Sequence, residues 1–127
     1  MRQTLIIAGR LPGMNDFAGK KSRWSYAAMK KETEYLILAA VHAHKLKPMR
    51  FAYVTCTWFE ENTKRDPDNI CAGLKFALDT LVYKNILPGD GWAEVLGISH
   101  QFIIDKDDPR VLITLDDKRP TPKGFTP

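Results

Sequence analysis

MRFAYVTCTWF, residues 49–59, is the stretch whose reading decides the fold. Phe51, Tyr53, Thr55 and Thr57 alternate with Ala52, Val54, Cys56 and Trp58, so both faces of an extended chain are largely apolar. A strand of that kind belongs in the middle of a sheet, covered on both sides. The rest of the chain is read for what surrounds it.

Upstream, Gln3–Ala8 (QTLIIA) is a short β-branched run stopped by Gly9 and Pro12-Gly13, a strand ending in a turn. Residues 9–21 have the composition of a loop long enough to carry function. From Ser22 to about Lys45 good helix formers and recurring apolar positions predict a helix. Lys45 and Lys47 suit its negative end, and Pro48 stops it. His42 and His44 near that end read as surface residues, not ligands, because two positions apart they point different ways.

Downstream, Asp68 to about Val82 predicts a second helix and Glu94–Ile104 a strand with Leu96, Ile98, Phe102 and Ile104 on one face. Asp105–Pro109 is a turn and Arg110–Leu115 a further strand, so these last two are expected to form a hairpin. Residues from about 117 onward, with three prolines and no periodicity, read as a loose tail. The expected fold is α+β: one domain over residues 1–127, in β-α-β-α-β-β order, with two helices packed on a mixed sheet.

With 44% hydrophobic and 27% charged residues, the chain has the balance of a soluble domain. No apolar run is long enough to cross a bilayer and the N-terminus lacks a signal-peptide core, so a cytoplasmic protein is expected. Cys56 and Cys71, the only cysteines, are expected as buried reduced thiols. The net charge of +4 is unevenly spread: residues 1–65 hold twelve Lys/Arg against five Asp/Glu, and the remainder seven against ten. That division suits a chain that grips a polyanion and holds divalent cations.

The acidic chemistry lies in KRDPDNICAGLKFALDTLVYKNILPGDGW, residues 64–92. Asp66 and Asp68 flank Pro67 at a helix start, where capping and the helix dipole already favour carboxylates. On one continuous helix at about 100° per residue, Asp68, Lys75 and Asp79 form a stripe beside the buried face. Lys75 and Asp79 also fit a plain i, i+4 ion pair. The functional reading assigns Mg²⁺ to Asp66, Asp68 and Asp90, since a hard cation takes carboxylate oxygens and shares substrate phosphate, and assigns Lys75 to that phosphate. No G-x-x-x-x-G-K-[ST] loop is present, which disfavours a nucleotide hydrolase.

Taken together, Arg65-Asp66, Asp68-Asn69, then Lys75, Leu78, Asp79 and Leu81, then Asp90 resemble the RusA family of Holliday junction resolvases of phages and prophages. Gly9, Pro12 and Asn15 look like that family's opening loop. The resemblance implies a RusA-like homodimer that resolves four-way DNA junctions by paired symmetric nicks, in DNA recombination and repair. It implies an endodeoxyribonuclease using Mg²⁺ or Mn²⁺, with Asp66, Asp68, Lys75 and Asp90 catalytic and the three aspartates on the metal. Lys75 stands seven residues after Asp68, whereas the best-known member carries its lysine about one turn on.

Lys20, Lys21, Arg23, Lys64 and Arg65, with Asn15, are the expected DNA contacts. Phe17 and Trp24 are read as core aromatics, with wedging into the junction the alternative; Trp58 and Trp92 are expected to pack. A helix from Asp68 to Val82 ends roughly 20 Å away, and the segment to Asp90 spans at most about 26–29 Å. Asp90 therefore rejoins Asp66 and Asp68 only if that segment runs back nearly straight; a site within one chain is expected, with Asp90 from a partner subunit as the alternative. A DNA-binding phage protein whose acidic stretch merely caps a helix is the competing reading.

Overall fold

A computed structural model describes residues 1–18 and 23–120, with side chains described at 1–16 and 25–120. Strands β1 (Arg2–Ala8), β2 (Ala52–Glu60), β3 (Val95–Ile104) and β4 (Arg110–Asp116) form one mixed sheet in the order β1-β4-β2-β3. Helices α1 (Met14–Ala18), α2 (Arg23–Ala43), α3 (Pro67–Cys71) and α4 (Leu74–Tyr83) are the other elements among the described residues. The domain is thus α+β, and residues 49–59 supply an interior strand, as their two apolar faces require.

The expected hairpin does not form. β2 lies between β3 and β4, pairing parallel with the first and antiparallel with the second. Residues 105–109 bridge over the end of β2, a span of roughly 9.6 Å between strands two places apart. Asp105 N–H donates to the Glu60 carbonyl at 2.8 Å, tying the bridge to the strand it crosses. Arg110 anchors the far side: Nη1 donates to Asp105 Oδ2 and the Asp108 carbonyl, both at 2.8 Å, and the guanidinium lies 3.7 Å from the Phe59 ring centroid. This bonding holds the Asp105 carboxyl below its ordinary pKa.

One sheet face carries the core. Leu5 and Ile7 of β1, Val54 and Trp58 of β2, and Ile113 and Leu115 of β4 are fully buried beneath Ile37 of α2 and Phe76 and Leu81 of α4. Each such side chain contributes about 1.5–3 kcal/mol by leaving water. Both long helices end in a left-handed residue, Lys45 (φ 50°) and Asn85 (φ 60°). The bonds Leu46 N–H to Val41 O and Ile86 N–H to Leu81 O close each end in the six-to-one pattern of a Schellman cap.

Three further expectations change. The loop over 9–21 contains the short helix α1, started where Gly13 N–H donates to Asp16 Oδ2 at 2.7 Å. The tail expected from about 117 lies outside the described residues from 121 on; at its start the Asp117 carboxylate accepts from the N-terminal ammonium at 2.7 Å, which holds its pKa low. Trp92 does not pack; it is 98% exposed. Cys56 is buried, its pKa pushed up to about 12 by burial and by Cys71, while Cys71 is only half-buried, and both are free thiols.

Candidate functional site

Asp66 and Asp68 stand at the end of the domain where β1 and β2 finish. Asp66 occupies the N-cap of α3 in an extended conformation (φ −73°, ψ 152°), with Pro67 following, yet its side chain makes no capping hydrogen bond. Asp68 Oδ1 accepts only from the N–H of its neighbour Asn69, at 2.9 Å. Both side chains are exposed. The capping role that sequence reasoning allowed for Asp66 is not the one it plays.

Asn69 holds this corner together. Its Oδ1 accepts from Asn15 N–H at 2.8 Å, joining α3 to the N-terminal loop. A Cβ on Gly13 would lie 2.6 Å from that same oxygen, so only glycine lets the two segments meet. The Asn15 backbone is thereby held against Asn69, the neighbour of Asp68, and Asn15 is exposed.

Arg65, expected as a phosphate contact, is engaged within the chain. Its guanidinium donates to Glu60 from Nε at 3.1 Å and from Nη2 at 2.9 and 3.0 Å, while Nη1 donates to the Leu11 carbonyl at 3.0 Å. Glu60 is 3% exposed and also accepts from Arg10 Nη2 at 3.2 Å. A buried carboxylate needs such partners, and two arginines from opposite sides of the corner provide them. Arg65 thus fixes the loop that presents Asp66. Arg10 and Glu60 escaped the sequence reading because nothing in a lone Arg or Glu signals its partner.

The stripe expected along one helix is broken. Gly73, Lys75 and Phe76 N–H groups bond three residues back, a tighter 3₁₀ winding that separates α3 from α4. A Cβ on Gly73 would come within 2.9 Å of Leu11 Cβ, so the joint is also where the N-terminal loop packs closely. Lys75 is therefore second in its own helix, exposed, with Nζ 3.3 Å from Asp79 Oδ2. Exposed pairs of this kind are worth about 0.3–0.5 kcal/mol.

Asp90 does not rejoin Asp66 and Asp68. After α4 the chain turns at Asn85, buries Ile86 and Leu87, and bonds Met49 N–H to the Ile86 carbonyl at 2.7 Å, near the start of β2. That is the opposite end of β2 from Glu60, about 26 Å along the strand. There Asp90 lines an open groove of about 810 Å³ between α2 and α4, with Asp79, Lys30, Lys31, Tyr35 and Tyr83. Within one chain Asp90 is thus set apart from Asp66 and Asp68, which were expected to share a site with it. Among the described residues no three His, Cys, Asp or Glu side chains converge as a metal-binding group.

Of the expected DNA contacts, Lys64 is exposed beside Asp66. Lys20 and Lys21 lie outside the described residues, as do the side chains of Arg23, Phe17 and Trp24. Lys30 and Lys31 bring positive charge to the Asp90 groove, a pairing that helix propensity alone did not reveal. No described helix is long and apolar enough to cross a membrane. No family model and no curated protein matches the chain.

Proposed function

We propose that the protein is a divalent-metal-dependent endodeoxyribonuclease acting on branched DNA as a RusA-like homodimer. The observation that carries this reading is the Asp66–Asp68 pair: two exposed carboxylates at a helix start, with no capping bond from Asp66. Asp66 is not held there by a folding role, and a ligand accounts for the pair better than a cap does.

Within one chain the donor set is incomplete, since Asp90 is held at the other end of β2. Magnesium commonly takes one or two carboxylates and fills its shell with water and phosphate oxygen. Asp66 and Asp68 would hold the ion in part, and the partner's Asp90 would supply the third carboxylate. Bound there, the ion would neutralise phosphate charge and acidify a water. The chain's own residues do the rest: Lys64 and Asn15 hold the DNA backbone, and Lys75 exchanges its weak Asp79 pair for a phosphate oxygen. Arg65, locked on Glu60, is a positioning residue for the acidic loop.

The test is cleavage of a synthetic four-way junction beside linear duplex, with and without Mg²⁺. Preferential junction nicking that needs Mg²⁺ and is lost in Asp68→Asn, with junction binding retained, is expected. A junction cut no better than duplex removes the resolvase reading; binding that ignores Mg²⁺, with no cleavage, favours the non-catalytic DNA-binding reading. Mixing Asp66→Asn with Asp90→Asn chains then reports on the site: recovered cleavage means that two chains share it, and inactivity of verified heterodimers refutes sharing.

A further inference from the structure

The two edges of the sheet are treated differently. On β1, Ile6 N–H is taken by His44 Nε2 at 3.1 Å, and the Gln3 amide bonds both N–H and C=O of Lys47, at 2.6 and 2.7 Å. That edge is closed by side chains and by the segment after α2. On the β3 edge no such bond is made among the described residues, although Arg119 and Pro120 border a small cleft with residues 96–99; β3 is ten residues long and every position is exposed or half-exposed. It carries neither proline nor charged Asp, Glu, Lys or Arg, the usual protections of a free edge. Leu96, Ile98, Phe102, Ile103 and Ile104 are 40–54% exposed.

The sequence of β3 is self-complementary about His100. In a two-fold antiparallel pair, directly opposed residues share a face, so the axis must pass through a residue. Centred on His100, Leu96 meets Ile104 of the second copy, Ile98 meets Phe102, Gly97 meets Ile103, and Ser99 meets Gln101. Apolar faces apolar and polar faces polar, while Gly97, which lies under the Tyr53 ring of its own chain, meets Ile103. Just beyond the strand, the same count sets Glu94 opposite Lys106, an opposite-charge pair. Trp92 falls opposite Asp108, within the partner's 105–109 bridge, which gives the most exposed large side chain a surface to cover.

We infer that β3 is the dimerisation edge: two copies join β3 to β3 antiparallel, with the two-fold axis at His100, into one continuous eight-stranded sheet. His100 is already fixed for that position, since its Nδ1 accepts from Trp58 Nε1 at 2.9 Å and its ring stacks with Trp58 and Phe102. The antiparallel arrangement also sets the beginning of one β3, and the turn carrying Asp90, at the end of the sheet where the other copy keeps Asp66 and Asp68. The interface itself rests on the strand and not on the nuclease reading.

The experiment needs no DNA. Wild-type protein at tens of micromolar is expected as a dimer by light scattering. Ile98→Lys, at a half-exposed position opposite Phe102, is expected to fold while weakening the dimer at least about tenfold. A monomeric wild type, or an Ile98→Lys protein that dimerises unchanged, overturns the proposal. Register is tested in a Cys71→Ser background: Ser99→Cys mixed with Gln101→Cys is expected to give a disulfide-linked heterodimer under mild oxidation, with little from either alone. Cross-linking of Ser99→Cys alone, or of no mixture, overturns the register and with it the inference, whether or not Ile98→Lys folds.

Discussion

At the level of single residues, the acidic and basic side chains divide into those the fold has consumed and those it has left available. Glu60 is consumed: it is buried, and Arg10 and Arg65 converge on it. Replacing it by glutamine removes the charge but leaves two guanidiniums at the same place, so Glu60→Gln is expected to lose about 2–3 kcal/mol in urea unfolding. Substituting Asp66, which makes no capping bond, is expected to change stability by less than about 0.5 kcal/mol. His100 adds a pH dependence. Burial holds its pKa below the ordinary 6.5, so the folded state resists the proton that the unfolded chain accepts. Stability from this group is complete above about 6.5 and falls as pH drops from there to the lower folded pKa. The loss measured between pH 7.5 and 5.5 is expected to shrink in His100→Gln.

Elements were legible in the sequence wherever one period ran unbroken, as in β2, α2, β3 and β4. They were misread where a local exception was needed. The α3–α4 joint follows from close packing of Gly73 against Leu11, a contact that helical periodicity cannot register. The false hairpin followed from treating a short connection as proof of pairing; a five-residue turn serves equally to step over one strand, and the Arg110 side chain that stabilises the step belongs to the strand after it. The left-handed end of α2 was invisible because lysine, not glycine, occupies it. Lys45→Gly relieves that conformation and leaves the Leu46–Val41 bond in place, so it is expected to stabilise the protein by up to about 1 kcal/mol, seen as a higher urea midpoint with unchanged slope. Of the site, the positions of Asp66 and Asp68 were legible because a cap-like motif fixes where a helix begins. The remoteness of Asp90 was not, since it depends on how the chain after α4 buries Ile86 and Leu87.

In the whole molecule, the last strand closes the fold. β4 pairs with β1 along Arg2↔Asp116 to Ala8↔Arg110 and with β2 along Tyr53↔Asp116 to Phe59↔Arg110, so the first and last strands meet only when nearly the entire chain exists. The N-terminal ammonium and Asp117 seal that closure. β4 also carries Val111, Ile113 and Leu115, all at most 1% exposed, into the centre of the core. A chain ending at Pro109 would lose these side chains, leave the inner edges of β1 and β2 without partners, and remove Arg110 from the bridge over Glu60. The sheet would separate into an isolated β1 and a β2–β3 pair, too little to persist in water. Such a chain is expected to show no cooperative thermal unfolding by circular dichroism, and adding the separate peptide Arg110–Lys118 is expected to restore a transition. A cooperative melt in the truncated chain alone would mean that the β2–β3 half carries its own core, contrary to the central place of β4.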